Sequence, residues 1–297
     1  LVAPGTYPEA LDFLGKAITV TSAGGAALTT IDAATAFDSA VTFHTGEGPG
    51  SVLRGFTVQG GDSSQRAGGI SCFGTAPTSP LVQHCIIRDN RTNLGLAGGI
   101  DGNPTLEDCL IEANFSPYQA GGIAGAPIVR RCTIRGNNGY DGGGAYLFGG
   151  RISDSIIADN TAYEGTHGGG VYLSGNALLE RCLITGNSAV AAGQYMVAAG
   201  GVYAYAAPSG PRPRMASCTV VGNHVVQPFL PFLDNCGGVN GPVRLVNTIV
   251  RDNDQLDVIE NSGVSAFYCD IDGGLAGPGN FDLDPLFRDA PNGDYRL

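Results

Sequence analysis

Four side chains near the middle of the chain are of types that move protons: Asp141, Glu164, His167 and Tyr172. A carboxylate beside an imidazole can hold the ring as a general base, and a phenol within reach can give or take a proton at a sugar carbon or a glycosidic oxygen. They sit among aromatic residues, Tyr140, Tyr146, Tyr163, Tyr195 and Tyr203, with Phe229 and Phe232 further on. A tyrosine presents a flat apolar face and a polar tip, which suits a sugar ring and a protein surface equally. Stacked in register, these rings would form an aromatic binding strip with the acid–base candidates at its edge; packed on one another, they would do no more than order the loops. A second group of carboxylates, Asp270 and Asp272 with Asp282 and Asp284, is a candidate Ca²⁺ site, but its spacing lacks the closing glutamate of a 12-residue EF-hand loop. The expectation there is a solvated acidic tail or a capping hairpin, with no cofactor required.

What would position these side chains is a repeat. The stretch RCTIRGN (131–137) recurs as HCIIRDN (84–90), DCLIEAN (108–114), DSIIADN (154–160), RCLITGN (181–187), SCTVVGN (217–223) and NTIVRDN (247–253), at intervals of 24, 23, 23, 27, 36 and 30 residues. A period in the twenties that lengthens only by insertion signals a solenoid. A Gly-Gly-aliphatic anchor falls between successive copies, from AGGI (67–70) to CGGV (236–239), and an aliphatic residue stands three positions before each Cys, as Val129 does before Cys132. Each turn therefore reads as short strands separated by corners, which predicts an all-β, single-stranded parallel β-helix of about nine or ten coils, roughly 45 Å long at ~4.8 Å per coil. The alternation of strand side chains sends Cys132 and Ile134 inward and Thr133 and Arg135 outward. The Asn series is expected at a corner, where it tolerates the left-handed conformation and its amide reaches the next coil. Tyr146, Tyr172 and Tyr203 occupy the outward position after the glycines in three successive coils.

The expected organisation is one domain over 1–297, with irregular N-terminal coils over 1–66, regular coils over 67–260 and a closing segment over 261–297. Forty-seven glycines, one lysine and no tryptophan fit many short strands and little helix. The net charge of -11 argues against a nucleic-acid partner, which needs clustered Lys and Arg. No apolar run reaches the ~18 residues of a membrane span, and the opening LVAPGTY has no secretion-signal pattern, so the chain reads as mature or trimmed. Five of the eight cysteines share one repeat position; coils ~4.8 Å apart suit buried free thiols better than disulfides, and Cys72, Cys236 and Cys269 are left open.

Charges on the strands alternate in sign at one-coil spacing, with Asp108 before Arg131, Asp154 before Arg181 and Glu112 before Arg135. These read as ion pairs that set coil register, each worth ~0.2–1 kcal/mol, with glycan binding by Arg131 and Arg135 as the alternative. The outward series Ile86, Leu110, Thr133, Ile156, Leu183, Thr219 and Ile249 is more aliphatic than a solvated face should be. A terminal segment or a second copy of the chain is expected to cover it. The two longest insertions, 188–199 and 224–235, are apolar for surface loops and are expected to cover the aromatic strip or meet a partner.

The combination of GGI or GGGxY with φ-x-x-Cys-x-Ile-x-x-Asn resembles the right-handed parallel β-helix proteins of the pectate-lyase-like superfamily, and within it bacterial polymorphic outer membrane protein and choice-of-anchor repeats. The opening VAPGTYPEALDFLGKAITVTSAGG and the closing GNFDLDPLFRDAPNGDYRL extend the likeness over nearly the whole chain. The resemblance implies export and an extracellular or bacterial cell-surface location. The Asn-Thr-Asp, paired Asp and Arg-Ile-Lys elements of the superfamily's polygalacturonases are missing, and Lys16, the one lysine, precedes the repeats and cannot serve there as a lyase base. The expected function is a non-catalytic module for adhesion, glycan or protein binding, or filament assembly with copies of itself. The alternative is a polysaccharide lyase working in the Tyr-lined cleft.

Overall fold

The computed structural model describes residues 1–297 apart from 75, 164–166, 191–197, 227–234 and 260–261. Its strands are short and pair in parallel, in sheets of 11, 10 and 9 strands that we call sheets I, II and III, with a 4-stranded sheet IV and a 2-stranded pair at one corner. The chain visits sheets III, II and I in turn, and the stack amounts to about eight turns, with essentially no helix among the described residues. This is the expected parallel β-solenoid, with fewer turns than the nine or ten coils expected. The N-terminal coils include the strands Gly5–Tyr7, Leu11–Asp12, Thr19–Thr21, Thr29–Asp32, Val41–Thr42 and Thr57–Gln59.

Period-two alternation in strands of three residues accounts for the core. In Thr133–Arg135 the central Ile134 is buried and Arg135 is exposed. In-register pairing places Ile87, Ile111, Ile134, Ile157, Ile184, Val220 and Val250 one above another. With the Cys and aliphatic columns they join one buried apolar cluster running from Phe13 to Ile271. All eight cysteines are buried and free. The Cys109 N–H points at Cys132 Sγ at 3.4 Å, and Ser155 takes the cysteine's place in the next coil, accepting from the Cys132 N–H at 3.0 Å.

The asparagine ladder forms as expected. Asn90 donates through Nδ2 to Asn114 Oδ1 at 3.0 Å, Asn114 to Asn137 at 3.0 Å, Asn137 to Asn160 at 3.0 Å and Asn160 to Asn187 at 2.9 Å. The conformational role assigned to asparagine is corrected. Positive φ falls on the residue before each ladder Asn, as at Asp89 (53°), Ala113 (53°) and Asp159 (56°), and again on the residue before each Cys position, as at Asp108 (54°), Arg131 (52°) and Arg181 (52°). A left-handed residue turns the chain, and the residue after it is then free to aim its side chain into the stack. The glycine pairs answer to space. A Cβ on Gly99 would stand 2.5 Å from the Gly122 carbonyl oxygen, and one on Gly122 would stand 2.3 Å from that of Gly144.

The aliphatic face of sheet I is covered in part by the chain's own C-terminal segment. Arg288 N–H bonds to Arg296 O at 2.8 Å and closes a small hairpin whose Tyr295 and Arg296 face Leu183 and Thr219 across a shallow cleft. Phe281, Leu283 and Pro285 border a cleft of about 450 Å³ over Thr219 and Ile249. Beyond the hairpin, Ile156 remains 43% exposed. Of the two apolar insertions, Ser188–Val190 and His224–Val226 are strands of sheet IV, paired with each other. Residues 191–197 and 227–234, the bulk of the two insertions, lie outside the described residues. Among the described residues no helix is long and apolar enough to cross a membrane.

Candidate functional site

The outward column of sheet III positions the tyrosines. Ala145–Leu147, Val171–Ser174 and Val202–Tyr205 are neighbouring strands in which Tyr146 pairs with Tyr172 and Tyr172 with Tyr203. Coil spacing of ~4.8 Å is near the centre-to-centre distance of two stacked rings, so rings at this position fall on one another. The Tyr146 and Tyr172 centroids are 4.3 Å apart with planes 3° from parallel, and Tyr172 and Tyr203 are 5.6 Å apart at 28°. Tyr172, in the middle, is 8% exposed.

Asp141 and His167 arrive at the same place by an equally local rule. Each immediately precedes a Gly triplet, and the first glycines of the two triplets, Gly142 and Gly168, bridge in parallel. The side chains therefore stand one coil apart, with His167 Nδ1 2.6 Å from Asp141 Oδ1. An ionised carboxylate only accepts, so Nδ1 carries the hydrogen, which in a neutral ring puts the lone pair on Nε2. The imidazole meets Tyr172 edge-on at 5.1 Å and Tyr203 at 4.4 Å with planes 58° apart.

Asp141, His167, Tyr146, Tyr172 and Tyr203 thus form one constellation. Among the described residues no ring contact joins Tyr140 to it, and the Tyr140 N–H binds Gln119 O at 2.8 Å. Tyr163 belongs to another corner, stacked on Phe115 at 5.7 Å and 14°. Glu164, Tyr195, Phe229 and Phe232 lie outside the described residues.

The constellation is electrostatically one-sided. Burial pushes the Tyr172 hydroxyl well above the ordinary phenol value, and the adjoining Tyr146 and Tyr203 phenols and the Asp141 carboxylate push the same way. Tyr146 and Tyr203 are also raised, first by burial and further by Asp141. All three phenols therefore remain protonated at neutral pH.

No protein-family model, curated protein or solved structure matches the chain.

One residue of this column was not singled out from the sequence. Asp101 pairs through Ala124 with Tyr146 and is 3% exposed. It accepts from the Ala67 and Cys72 N–H groups at 2.8 and 3.0 Å, and burial raises its carboxyl above the usual range. The signal was an Asp directly after AGGI, at the position that holds tyrosine in later coils. At the C-terminal end, the guanidinium of Arg251 lies between the Ca²⁺ candidates, 3.0 Å from Asp270, 3.6 Å from Asp272 and 2.8 Å from Asp282. The guanidinium thus offsets part of the charge of these carboxylates, and among the described residues no group of three or more His, Cys, Asp or Glu is disposed to hold a metal.

Proposed function

We propose that the chain is a non-catalytic β-helix module, right-handed and of the pectate-lyase-like type, that works outside the cell or at a bacterial cell surface by binding glycan. The observation that carries this reading is the stack of Tyr146, Tyr172 and Tyr203 at 4.3 and 5.6 Å with His167 against it. Rings stacked on one another are fixed in place, so little side-chain freedom is lost when the partly exposed Tyr146 and Tyr203, held by the buried Tyr172 between them, meet a ligand. Neutral phenols both donate and accept hydrogen bonds, which matches the hydroxyls of a sugar.

A second reading, a polysaccharide lyase, is favoured by the 2.6 Å contact between His167 and Asp141, the orientation a general base requires. Against it, a tyrosine that takes part by shedding its proton needs a lowered pKa, and the surroundings of Tyr172 raise it. The two readings part in one experiment. Wild-type protein and Tyr203→Ala are applied to immobilised glycans, and polysaccharides are incubated with wild-type protein while the absorbance of unsaturated product is followed. The binding reading expects retention of at least one glycan that Tyr203→Ala loses, without turnover. Turnover, or retention unaffected by Tyr203→Ala, overturns it.

A further inference from the structure

Charge is sorted among the three long sheets. Strands of sheet I contain Arg88, Arg135 and Arg251, and strands of sheet II contain five more arginines, from Arg54 to Arg244. The described strands of sheet III contain neither Lys nor Arg. The outward column of sheet III runs Asp12, Thr42, Ser71, Asp101, Ala124, Tyr146, Tyr172, Tyr203, Asn240 through successive in-register pairs. Its formal charges are carboxylates.

Among the described residues Asp141 is a carboxylate that acts on all three tyrosines, and its side chain is 18% exposed and so only partly screened by water. His167 is bound to it and offsets that charge when protonated, but a pair so formed has no surplus positive charge for a ligand. An anionic sugar seated here would bring its carboxylate or sulfate toward Asp141 with no arginine in the strands of the same sheet to receive it. A neutral sugar meets no such repulsion, and an amino group would find a carboxylate partner.

From this we infer that the Tyr146–Tyr172–Tyr203 column accepts neutral and amino-bearing sugar units and rejects uronate and sulfated ones. The inference rests on the binding reading above and adds the ligand's charge class. Like-charge juxtaposition is an effective means of rejecting a wrong partner.

The test is calorimetric titration of the intact chain with oligosaccharides of matched length: glucosamine, N-acetylglucosamine, glucose and galacturonate oligomers, at low and moderate salt. The expected result is binding of the amino or neutral oligomers with galacturonate at least tenfold weaker, the gap narrowing as salt rises. Asp141→Asn is expected to shrink the gap several-fold while far-ultraviolet circular dichroism stays unchanged. Galacturonate binding as tightly as the neutral oligomers overturns the inference on wild-type protein alone, whatever the variant does. So does a gap that a folded Asp141→Asn leaves intact. Failure of every oligomer to bind overturns the binding reading itself, and the inference with it.

Discussion

Asn253 Nδ2 lies 2.6 Å from Asp257 Oδ1, so the asparagine ladder ends on a carboxylate. The same oxygen accepts the Asn253 N–H at 3.2 Å, as the next asparagine's oxygen does for every earlier member. Asp257 is buried, and burial raises its carboxyl from 3.8 to about 6, with repulsion from Asp272 and Asp252 adding to it and the Asn253 hydrogen bonds opposing.

That contact makes stability depend on pH in a defined direction. The folded value of about 6 stands above the ordinary 3.8, so the folded chain holds this proton more tightly than the unfolded chain. The resulting stabilisation is complete below about pH 4 and fades as pH rises through 6. Asp257→Asn keeps the accepting oxygen and removes the charge. It should raise the melting temperature at pH 7.5 by roughly 2–4 °C and flatten the profile between pH 4 and 7. Thermal unfolding of both proteins across that range is the check, and an unchanged profile would show that Asp257 is not the group responsible.

In the middle of the ladder the consequence of a deletion is larger. Asn137 accepts from Asn114 N–H at 3.1 Å and Asn114 Nδ2 at 3.0 Å, and it donates to Ile111 O and Asn160 Oδ1, both at 3.0 Å. Asn137→Ala leaves the Asn114 N–H buried without an acceptor and takes one hydrogen bond each from Asn114 Nδ2, Ile111 O and Asn160 Oδ1, at ~1–3 kcal/mol for a group left unsatisfied. A loss of at least about 3 kcal/mol is expected in denaturant unfolding, and less at Asn253, which is only half-buried. Equal losses at the two positions would count against a cooperative ladder.

Much of this was legible in the sequence because the solenoid makes local spacing and spatial stacking the same thing. Cys132 and Ile134 could be placed inside from period two alone, and Asp141, His167 and the three tyrosines could be grouped because each holds a fixed offset from a Gly anchor. Hidden from such reasoning were features set by the third dimension. That the Tyr146 and Tyr172 faces cover each other depends on side-chain rotation about a register that spacing alone does not fix. The left-handed residue proved to be Asp159 rather than Asn160, because the asparagine's side chain was needed along the stack. Arg251 reaching Asp282 is a contact across 31 residues with no repeat to announce it.

Two glycines separate the demands of space from those of conformation. A Cβ on Gly122 would stand 2.3 Å from the Gly144 carbonyl oxygen, whereas Gly136, at φ 59°, has open space around its Cβ position. Gly136→Ala should cost about 1–2 kcal/mol, the strain of an L-residue in the left-handed region. Gly122→Ala must force two coils apart and should cost more, or prevent folding. Comparing expression and denaturation midpoints tests the order, and a Gly122→Ala variant as stable as Gly136→Ala would contradict the packing argument.

The ion pairs on the coil surface should contribute little singly. Arg131 grips Asp108 with two hydrogen bonds of 2.9 Å, and this contact holds the Asp108 carboxyl below its ordinary range. Both groups are solvent-exposed, so a double-mutant cycle with Asp108→Asn and Arg131→Gln should return a coupling of ~0.2–1 kcal/mol that falls with added salt. Coupling of several kcal/mol, indifferent to salt, would mean that the pair does more than hold register.

Tyr172 gives the most direct test of whether the aromatic column is a binding platform or a set of acid–base groups. Its hydroxyl is buried between two other phenols and near Asp141, all of which oppose ionisation. Because the folded value is raised, the folded chain favours the protonated phenol, and the corresponding stability is lost only as pH climbs above the ordinary tyrosine range. Alkaline titration followed by phenolate absorbance should therefore show a group of tyrosines that ionise late, at or beyond the point of unfolding. In Tyr172→Phe the amplitude of that late phase should fall by about one tyrosine's worth while the early phase is unchanged. If the variant instead loses amplitude from a phase near neutral pH, Tyr172 carries an accessible proton, and the lyase reading gains the general base that its present surroundings deny it.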